Sequence, residues 1–199
     1  MTTTQTGKKV EIDFMFIDLD TCTRCKGTDE SLERALQTVR DVLKSAGVDL
    51  TVRKTLVDTE AKARHLDFVS SPTIRINGRD IALELRESNC ASCGEACGCE
   101  GGVDCRVWLY HGKEYTVAPV PMIVDAILAA VYDTKEEMAL PSRPNNPSEN
   151  LRRFFAAKAA KVASCCSVEE QVVCCEPDQK SNCCPPAADA AEATGCGCR

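Results

Sequence analysis

Fifteen cysteines in a chain of 199 residues carry most of the chemistry that this sequence could perform. They fall into three groups: a pair at Cys22 and Cys25, five between residues 90 and 105, and eight after residue 164. A cysteine thiolate attacks disulfides and binds soft metal ions. The composition therefore points to thiol redox chemistry or to metal binding.

Cys22 and Cys25 form a C-x-x-C motif that follows an apolar run at residues 10–17 and precedes a helical pattern. A cysteine at a helix start lies beside unpaired backbone N–H groups and the positive end of the helix dipole, and both favour the thiolate. The two-residue spacer lets both sulfurs reach one disulfide or one metal ion. The motif alone does not decide between them, because zinc knuckles and heavy-metal domains also use it.

The second group lies in a glycine-rich segment, which we expect to be a loop that folds back on itself. Cys90 and Cys93 have the spacing of a tetrahedral thiolate site, which two of Cys97, Cys99 and Cys105 could complete. Zinc and a softer ion are both candidate occupants. Disulfides or free thiols are the alternative.

The third group consists of adjacent cysteine pairs that recur every nine residues, followed by a final C-x-C. An adjacent pair closes into a disulfide only through a strained ring, so the reduced form is the easier state. Each reduced pair offers two soft ligands to Cu(I), Hg(II) or As(III). A metallothionein-like store or an unstructured tail is the alternative. The residues are Cys165, Cys166, Cys174, Cys175, Cys183, Cys184, Cys196 and Cys198.

Alternating and helical hydrophobic patterns predict the elements that position these thiols. Strands are expected at residues 10–17 and 48–57, helices over 32–46, 59–67 and 122–131, a hairpin over 70–85 and a further hairpin with strands at 107–110 and 115–117. In the first helix, the apolar residues that form one stripe are Leu32, Ala35, Leu36, Val39, Val42, Leu43 and Ala46. The first hairpin turns at Asn77-Gly78, the strongest short-range signal of its kind. The order is strand, helix, strand, helix, hairpin and, after an interruption, a last helix.

These elements and the composition divide the chain. We expect an α/β domain over residues 8–135, with a cysteine-rich insertion at 88–106. A turn-rich linker follows at 136–150, and a short helix at 151–164. The tail at 165–199 has few large apolar residues, so we expect it to be flexible and disordered without a bound metal.

Charge and hydropathy exclude several partners. A net charge of -6 without a basic run argues against nucleic acid, and no stretch approaches the ~18 apolar residues of a membrane span. The first residues lack the apolar segment of a signal peptide. We therefore expect a cytoplasmic protein, where thiols stay reduced and serve as ligands or redox groups.

The element order, the C-x-x-C motif and the Ser71-Pro72-Thr73 segment resemble the thioredoxin superfamily. The resemblance implies a thioredoxin-like fold, with a central mixed sheet flanked by helices and a cis peptide bond before Pro72. It also implies that Cys22 is the nucleophile, Cys25 the resolving thiol, and Ser71 with Pro72 the edge on which an extended substrate docks. The start of the chain also resembles a ferredoxin-like heavy-metal domain, which is the competing fold.

Over about residues 8–135 the chain resembles a prokaryotic thioredoxin-like family, domain of unknown function 2703. The matching features are the C-x-x-C motif, the Ser-Pro-Thr hairpin and the Ser-Asn-Cys-x-x-Cys segment before Arg-Val-Trp. The tail pairs resemble those of arsenite metallochaperones, which also have a thioredoxin-like fold. Together these resemblances imply a role in arsenic or mercury resistance.

Two main functions remain open at this point, and a third is possible. The first is a carrier that captures a soft metal or metalloid ion and passes it to a protein thiol acceptor by thiolate exchange, without an organic cofactor. The second is a thiol–disulfide oxidoreductase in which Cys22 and Cys25 act beside Pro72. The third is an interaction module stabilised by Zn(II).

Overall fold

The computed structural model describes residues 8–99, 102–132 and 147–163. The predicted alternation of strands and helices is confirmed there. In chain order the elements are β1 (Lys8–Phe16), α1 (Thr23–Ser45), β2 (Val48–Leu56), α2 (Glu60–His65), β3 (Thr73–Ile76), β4 (Arg79–Asp80), β5 (Arg86–Cys90), α3 (Ala91–Cys97), β6 (Val103–Tyr110), β7 (Lys113–Tyr115), α4 (Val120–Tyr132) and α5 (Glu149–Ala163).

Four strands form a mixed sheet in the order β2-β1-β3-β4. β1 runs parallel to β2 and antiparallel to β3, and β3 turns back into β4. The turn residues Asn77 and Gly78 have φ values of 50° and 77°, which asparagine tolerates and glycine adopts freely. The predicted mixed α/β sheet and its hairpin are therefore confirmed.

Helix α1 packs the predicted apolar stripe into the core. Leu32, Leu36, Val39 and Leu43 are almost wholly buried, as their three- and four-residue spacing requires. Val42 was predicted on the same stripe but is 56% exposed. At about 100° per residue it lies at the edge of the stripe, where the helix surface turns toward solvent.

The cysteine-rich insertion at 88–106 was predicted to be a loop, and this is wrong, whereas the further hairpin predicted around His111-Gly112 is confirmed by the pairing of β6 and β7. β5 and β6 pair antiparallel with α3 between them, and β7 completes a second sheet in the order β5-β6-β7. Its glycines allow close packing: a Cβ on Gly94 would lie 2.8 Å from the Cα of Gly102. Because no side chain separates them, α3 packs directly on the backbone that leads into β6.

A buried ion pair joins this second sheet to the first. The side chains of Arg106 and Asp80 are each 1% exposed, and an Arg106 nitrogen lies 3.0 Å from an Asp80 oxygen. Arg106 also donates to the Thr73 hydroxyl at 2.9 Å, and its backbone N–H donates to the Ser71 carbonyl at 2.7 Å. β6 is therefore fixed against the start of β3.

Helix α5, predicted as a short helix at 151–164, packs on the second sheet and α3. Leu151 and Phe154 are buried, and Arg153 donates to the Gly102 carbonyl at 2.6 Å. These contacts make α5 a cover for the cysteine-rich segment.

Several predictions concern parts of the chain outside the described residues. They are the end of the domain at 133–135, most of the linker at 136–146, and the tail with its eight cysteines.

Candidate metal centre

Four sulfur atoms meet where the start of α1 faces the segment from β5 to β6. The Sγ atoms of Cys22, Cys90, Cys93 and Cys105 all lie within 4.8 Å of one another, and all four residues are buried. We refer to these residues as the four-cysteine cluster. A tetrahedral ion with Zn–S distances of about 2.3 Å needs sulfurs about 3.8 Å apart. The cluster is therefore compact enough to surround one ion with small side-chain movements.

Cys22 reaches the cluster from the end of the loop after β1. It caps α1, and its Sγ accepts a hydrogen bond from the Cys25 backbone N–H at 3.3 Å. An Asp18 carboxylate oxygen accepts from the N–H groups of Thr21 at 2.6 Å and Cys22 at 3.3 Å, which fixes the loop. The sulfur therefore lies at the positive end of the helix dipole, as predicted.

The other three ligands come from the inserted segment. Cys90 ends β5 and Cys93 lies in the first turn of α3, so the C-x-x-C spacing brings both sulfurs to one side. Cys105 lies on the paired strand β6, and its Sγ is 3.2 Å from that of Cys93. The antiparallel pairing of β5 and β6 is what joins Cys105 to the knuckle.

Arg24 ties helix α1 to the inserted segment beside the cluster. Its guanidinium donates to the backbone carbonyls of Ser88 at 3.2 Å, Asn89 at 2.5 Å and Cys105 at 3.1 Å. The residue is only 9% exposed, so these bonds form away from bulk water. Arg24 therefore holds the backbone that carries Cys90 and Cys105 against the start of α1.

Thr23 and Ser92 form a thin cover at the protein surface. The Ser92 hydroxyl lies 3.3 Å from both the backbone N–H and the hydroxyl of Thr23. It is also 3.3 Å from the Cys90 sulfur. Cys90 is 4% exposed, and the Thr23–Ser92 contact lies on its side of the cluster, at the protein surface.

The thiols of the cluster shift one another's pKa. Hydrogen bonds from the Cys105 and Cys25 thiols hold the pKa of Cys22 far below its usual range. Hydrogen bonding to Cys105 lowers the pKa of Cys90 to about 6, whereas the bond from Cys105 to Cys22 raises the pKa of Cys105. Each thiolate is thus stabilised by hydrogen bonds from neighbouring thiols that keep their protons, because four adjacent negative charges repel strongly. A bound cation would reduce this repulsion and allow all four thiols to lose their protons.

Cys25, predicted as the partner of Cys22, lies outside the four-cysteine cluster. Its Sγ is 3.3 Å from the Ser71 hydroxyl, and its pKa is raised by the hydrogen bond to Cys22 and by burial. The predicted cis bond between Ser71 and Pro72 is confirmed. The predicted docking edge, however, is occupied within the chain, because the Ser71 carbonyl accepts from the Arg106 N–H.

The structure brings together three of the five cysteines of the inserted segment and adds Cys22. Cys90 and Cys93 were predicted to form a thiolate site with two of Cys97, Cys99 and Cys105; only Cys105 lies beside them, whereas Cys97 and Cys99 form a disulfide with each other. Cys22 was expected to share an ion or a disulfide with Cys25. The signal that could have found it is the Ser71 edge, where a strand such as β6 can pair and bring Cys105 to Cys22.

Comparisons with known proteins place the chain in a family. A family model described as a domain of unknown function (DUF2703) matches residues 10–127. Searches of curated proteins and of solved structures found no match to the chain. Among the residues that the structure describes, no helix is both long and apolar enough to cross a bilayer.

Proposed function

We propose that this chain, which belongs to the DUF2703 family, binds one thiophilic metal or metalloid ion between the thiolates of Cys22, Cys90, Cys93 and Cys105. The observation that carries the proposal is the convergence of four buried sulfurs within 4.8 Å. The ion passes to and from other thiols by exchange, one sulfur replacing another.

The chemistry of the ligand set narrows the class of ion. Thiolates select soft or borderline ions, and a complete set of four suits tetrahedral Zn²⁺, Cd²⁺ or Hg²⁺. Cu(I) or As(III), which take fewer sulfurs, would use a subset of the cluster. A site with four protein ligands has no position for a substrate or water, which favours binding over metal catalysis.

A thioredoxin-like fold is part of the same proposal. It is supported by the strand order β2-β1-β3-β4, the C-x-x-C motif at the start of α1 and the cis bond before Pro72. The role in arsenic, mercury or copper handling, the protein thiol that exchanges the ion and the cytoplasmic location remain predictions from the sequence.

The oxidoreductase alternative is less well supported by the surroundings of Cys22. A nucleophilic cysteine that attacks protein disulfides is partly exposed, whereas Cys22 is 0% exposed. The backbone edge at Ser71 that would hold a substrate is paired with Arg106. Protein substrates would reach the pair only after the inserted segment moved away.

Permanent zinc is the second candidate, and the burial of all four sulfurs favours it. Closed sites of four cysteines are typical of structural zinc, which contributes directly to folding. The two candidates differ in whether the bound ion exchanges with other thiols. A carrier gives its ion to a competing dithiol while it stays folded, whereas a structural site gives it up only on unfolding.

Titration of the reduced protein with Cd²⁺ tests the proposal. The protein for this test is the full-length chain in which the eight cysteines after residue 164 are replaced by serine, called the tail-serine chain. Only Cys22, Cys25 and the five cysteines between residues 90 and 105 can then bind the ion. We expect one tightly bound Cd²⁺ per chain, measured by thiolate charge-transfer absorbance and by competition with a chelating dye. A Cys97→Ser, Cys99→Ser double variant is the matched control and keeps this stoichiometry. Absence of stoichiometric binding would contradict the proposed function.

A further inference from the structure

We propose that Cys25 is the thiol through which oxidation releases the ion. When a hydroperoxide oxidises Cys22, Cys25 closes a disulfide with it and removes it from the four-cysteine cluster. This inference rests on the proposed function and adds a redox control to the same site. It gives a role to a buried thiol that ion binding does not use.

Cys22 belongs to two arrangements at once. Its sulfur is one of the four that converge, and it also accepts the Cys25 backbone N–H at 3.3 Å and interacts with the Cys25 thiol. Cys25 is not a member of the cluster, and its Sγ contacts the Ser71 hydroxyl at 3.3 Å. An ion in the cluster therefore leaves Cys25 unligated beside one of its ligands.

The surroundings of the cluster explain why release needs such a step. All four sulfurs are buried, and Arg24 holds the backbone of both β5 and β6 against α1. Exchange with a bulky acceptor thiol is therefore slow while these contacts last. A hydroperoxide is smaller, and on the Cys90 side the cluster borders the surface contact between Thr23 and Ser92.

The reaction balances with a hydroperoxide as the oxidant. The Cys22 thiolate attacks the peroxide oxygen, an S–O bond forms, the O–O bond breaks, and hydroxide leaves when the oxidant is hydrogen peroxide. The Cys25 thiol then attacks the Cys22 sulfur, so that the S–S bond forms, the S–O bond breaks, and water leaves with the Cys25 proton. Two sulfurs lose one electron each, and the peroxide gains both.

Loss of Cys22 opens the site on the side of α1. The ion keeps only the three sulfurs of the inserted segment, Cys90, Cys93 and Cys105, and gains an open coordination position. An acceptor thiolate can occupy that position. Reduction of the disulfide by a dithiol restores the fourth ligand and the original site.

Cys93 and Cys105 are the competing pair, since their sulfurs lie 3.2 Å apart. Both are ligands in the proposed site, so a disulfide between them would remove two thiolates from the ion, whereas the Cys22–Cys25 disulfide removes one. Cys25 is bound to no ion and lies in the first turn of the same helix that Cys22 caps. We therefore expect the first disulfide at Cys22–Cys25.

The experiment compares three Cd²⁺-loaded proteins treated with hydrogen peroxide: the tail-serine chain, its Cys25→Ser variant, and its Cys97→Ser, Cys99→Ser control. Ion release is followed by the chelating dye, and disulfides are mapped by mass spectrometry of peptides. We expect the tail-serine chain and the control to release Cd²⁺ with formation of the Cys22–Cys25 disulfide. We expect Cys25→Ser to release Cd²⁺ at a rate at least about tenfold lower, because the neighbouring thiol that completes the reaction is gone.

Binding before oxidation separates the two proposals. One Cd²⁺ bound by Cys25→Ser, with release as fast as in the tail-serine chain or through a Cys93–Cys105 disulfide, would overturn the inference and leave the proposed function intact. No Cd²⁺ bound by any of the three proteins would overturn both. Cys25→Ala serves as a second variant if Cys25→Ser does not fold, with the same expected results.

Discussion

Replacing Cys105 with serine is expected to weaken Cd²⁺ binding by about 100-fold, because it removes one of four converging thiolates. Structural zinc sites contribute about 10–16 kcal/mol through four ligands, so one thiolate contributes roughly 3 kcal/mol, or about two powers of ten in Kd. Cys105 is a suitable position for this test because it lies on strand β6 and caps no helix, so its replacement removes a ligand without removing a helix cap. The measurement is competitive titration of the Cys105→Ser tail-serine chain against a chelator of known affinity.

The control for this loss is the double variant Cys97→Ser, Cys99→Ser. These cysteines lie at the end of α3 and just beyond it, and are joined to each other instead of to the cluster. Their replacement is expected to leave Kd within about threefold of the parent, the usual size of an indirect effect of well under 1 kcal/mol. Equal Kd values for Cys105→Ser and its parent would contradict the assignment of Cys105 as a ligand.

The second large effect is expected at the ion pair that holds β6 in place. Asp80→Asn removes the carboxylate charge that lies 3.0 Å from Arg106, where both side chains are 1% exposed, and so breaks this buried ion pair. Breaking a buried pair in this way costs about 3–5 kcal/mol. Because the free energy of unfolding of a domain is about 5–15 kcal/mol, the loss is a large share of the stability of this one. Urea unfolding with excess Cd²⁺ measures it.

Asp58→Asn is the matched comparison. Asp58 pairs with Lys62 four residues later at 3.6 Å, and both side chains are exposed by 40% or more. An exposed pair of this kind contributes about 0.5 kcal/mol or less. A similar loss of unfolding free energy in Asp80→Asn and Asp58→Asn would contradict the view that the Arg106–Asp80 pair fixes the second sheet.

The sequence predicted the main sheet well because its signals are local. A strand that ends at a C-x-x-C motif, a stripe of apolar residues along α1 and the Asn77-Gly78 turn each depend on residues close together in the chain. The periodicity of such segments follows directly from backbone geometry. Two positions of the stripe, Val42 at its edge and Ala46 at the end of the helix, were predicted to be in the core but are exposed.

The inserted segment was less predictable, because a glycine in a sequence can indicate either a loop or a close approach of two backbone segments. Gly94 and Gly102 suggested a loop, but Gly94 allows α3 to approach the backbone at Gly102, and Gly102 leaves room for the Asn89 side chain. The short strand β5, with the sequence RESNC, has few apolar residues and gives no strand signal of its own. Its pairing with β6 decides its conformation, and pairing partners cannot be read from one segment.

The cluster itself depends on contacts that are distant in sequence. Cys90 and Cys93 are neighbours, and their knuckle spacing was sufficient to predict them as ligands. Cys22 joins them only because Arg106 pairs with Ser71 and Arg24 holds the carbonyls beside Cys105. Neither contact has a pattern in the sequence, so the C-x-x-C motif suggested a self-contained dithiol instead.

X-ray absorption at the zinc edge of the Zn²⁺-loaded tail-serine chain tests the central claim most directly. Binding within the four-cysteine cluster predicts four sulfur neighbours at about 2.3 Å and no nitrogen or oxygen ligand, since all four converging side chains are cysteines. The Cys22→Ser variant should then lose one of the four sulfurs. An ion with mixed oxygen or nitrogen ligands, or a sulfur count that Cys22→Ser leaves unchanged, would contradict the proposed site.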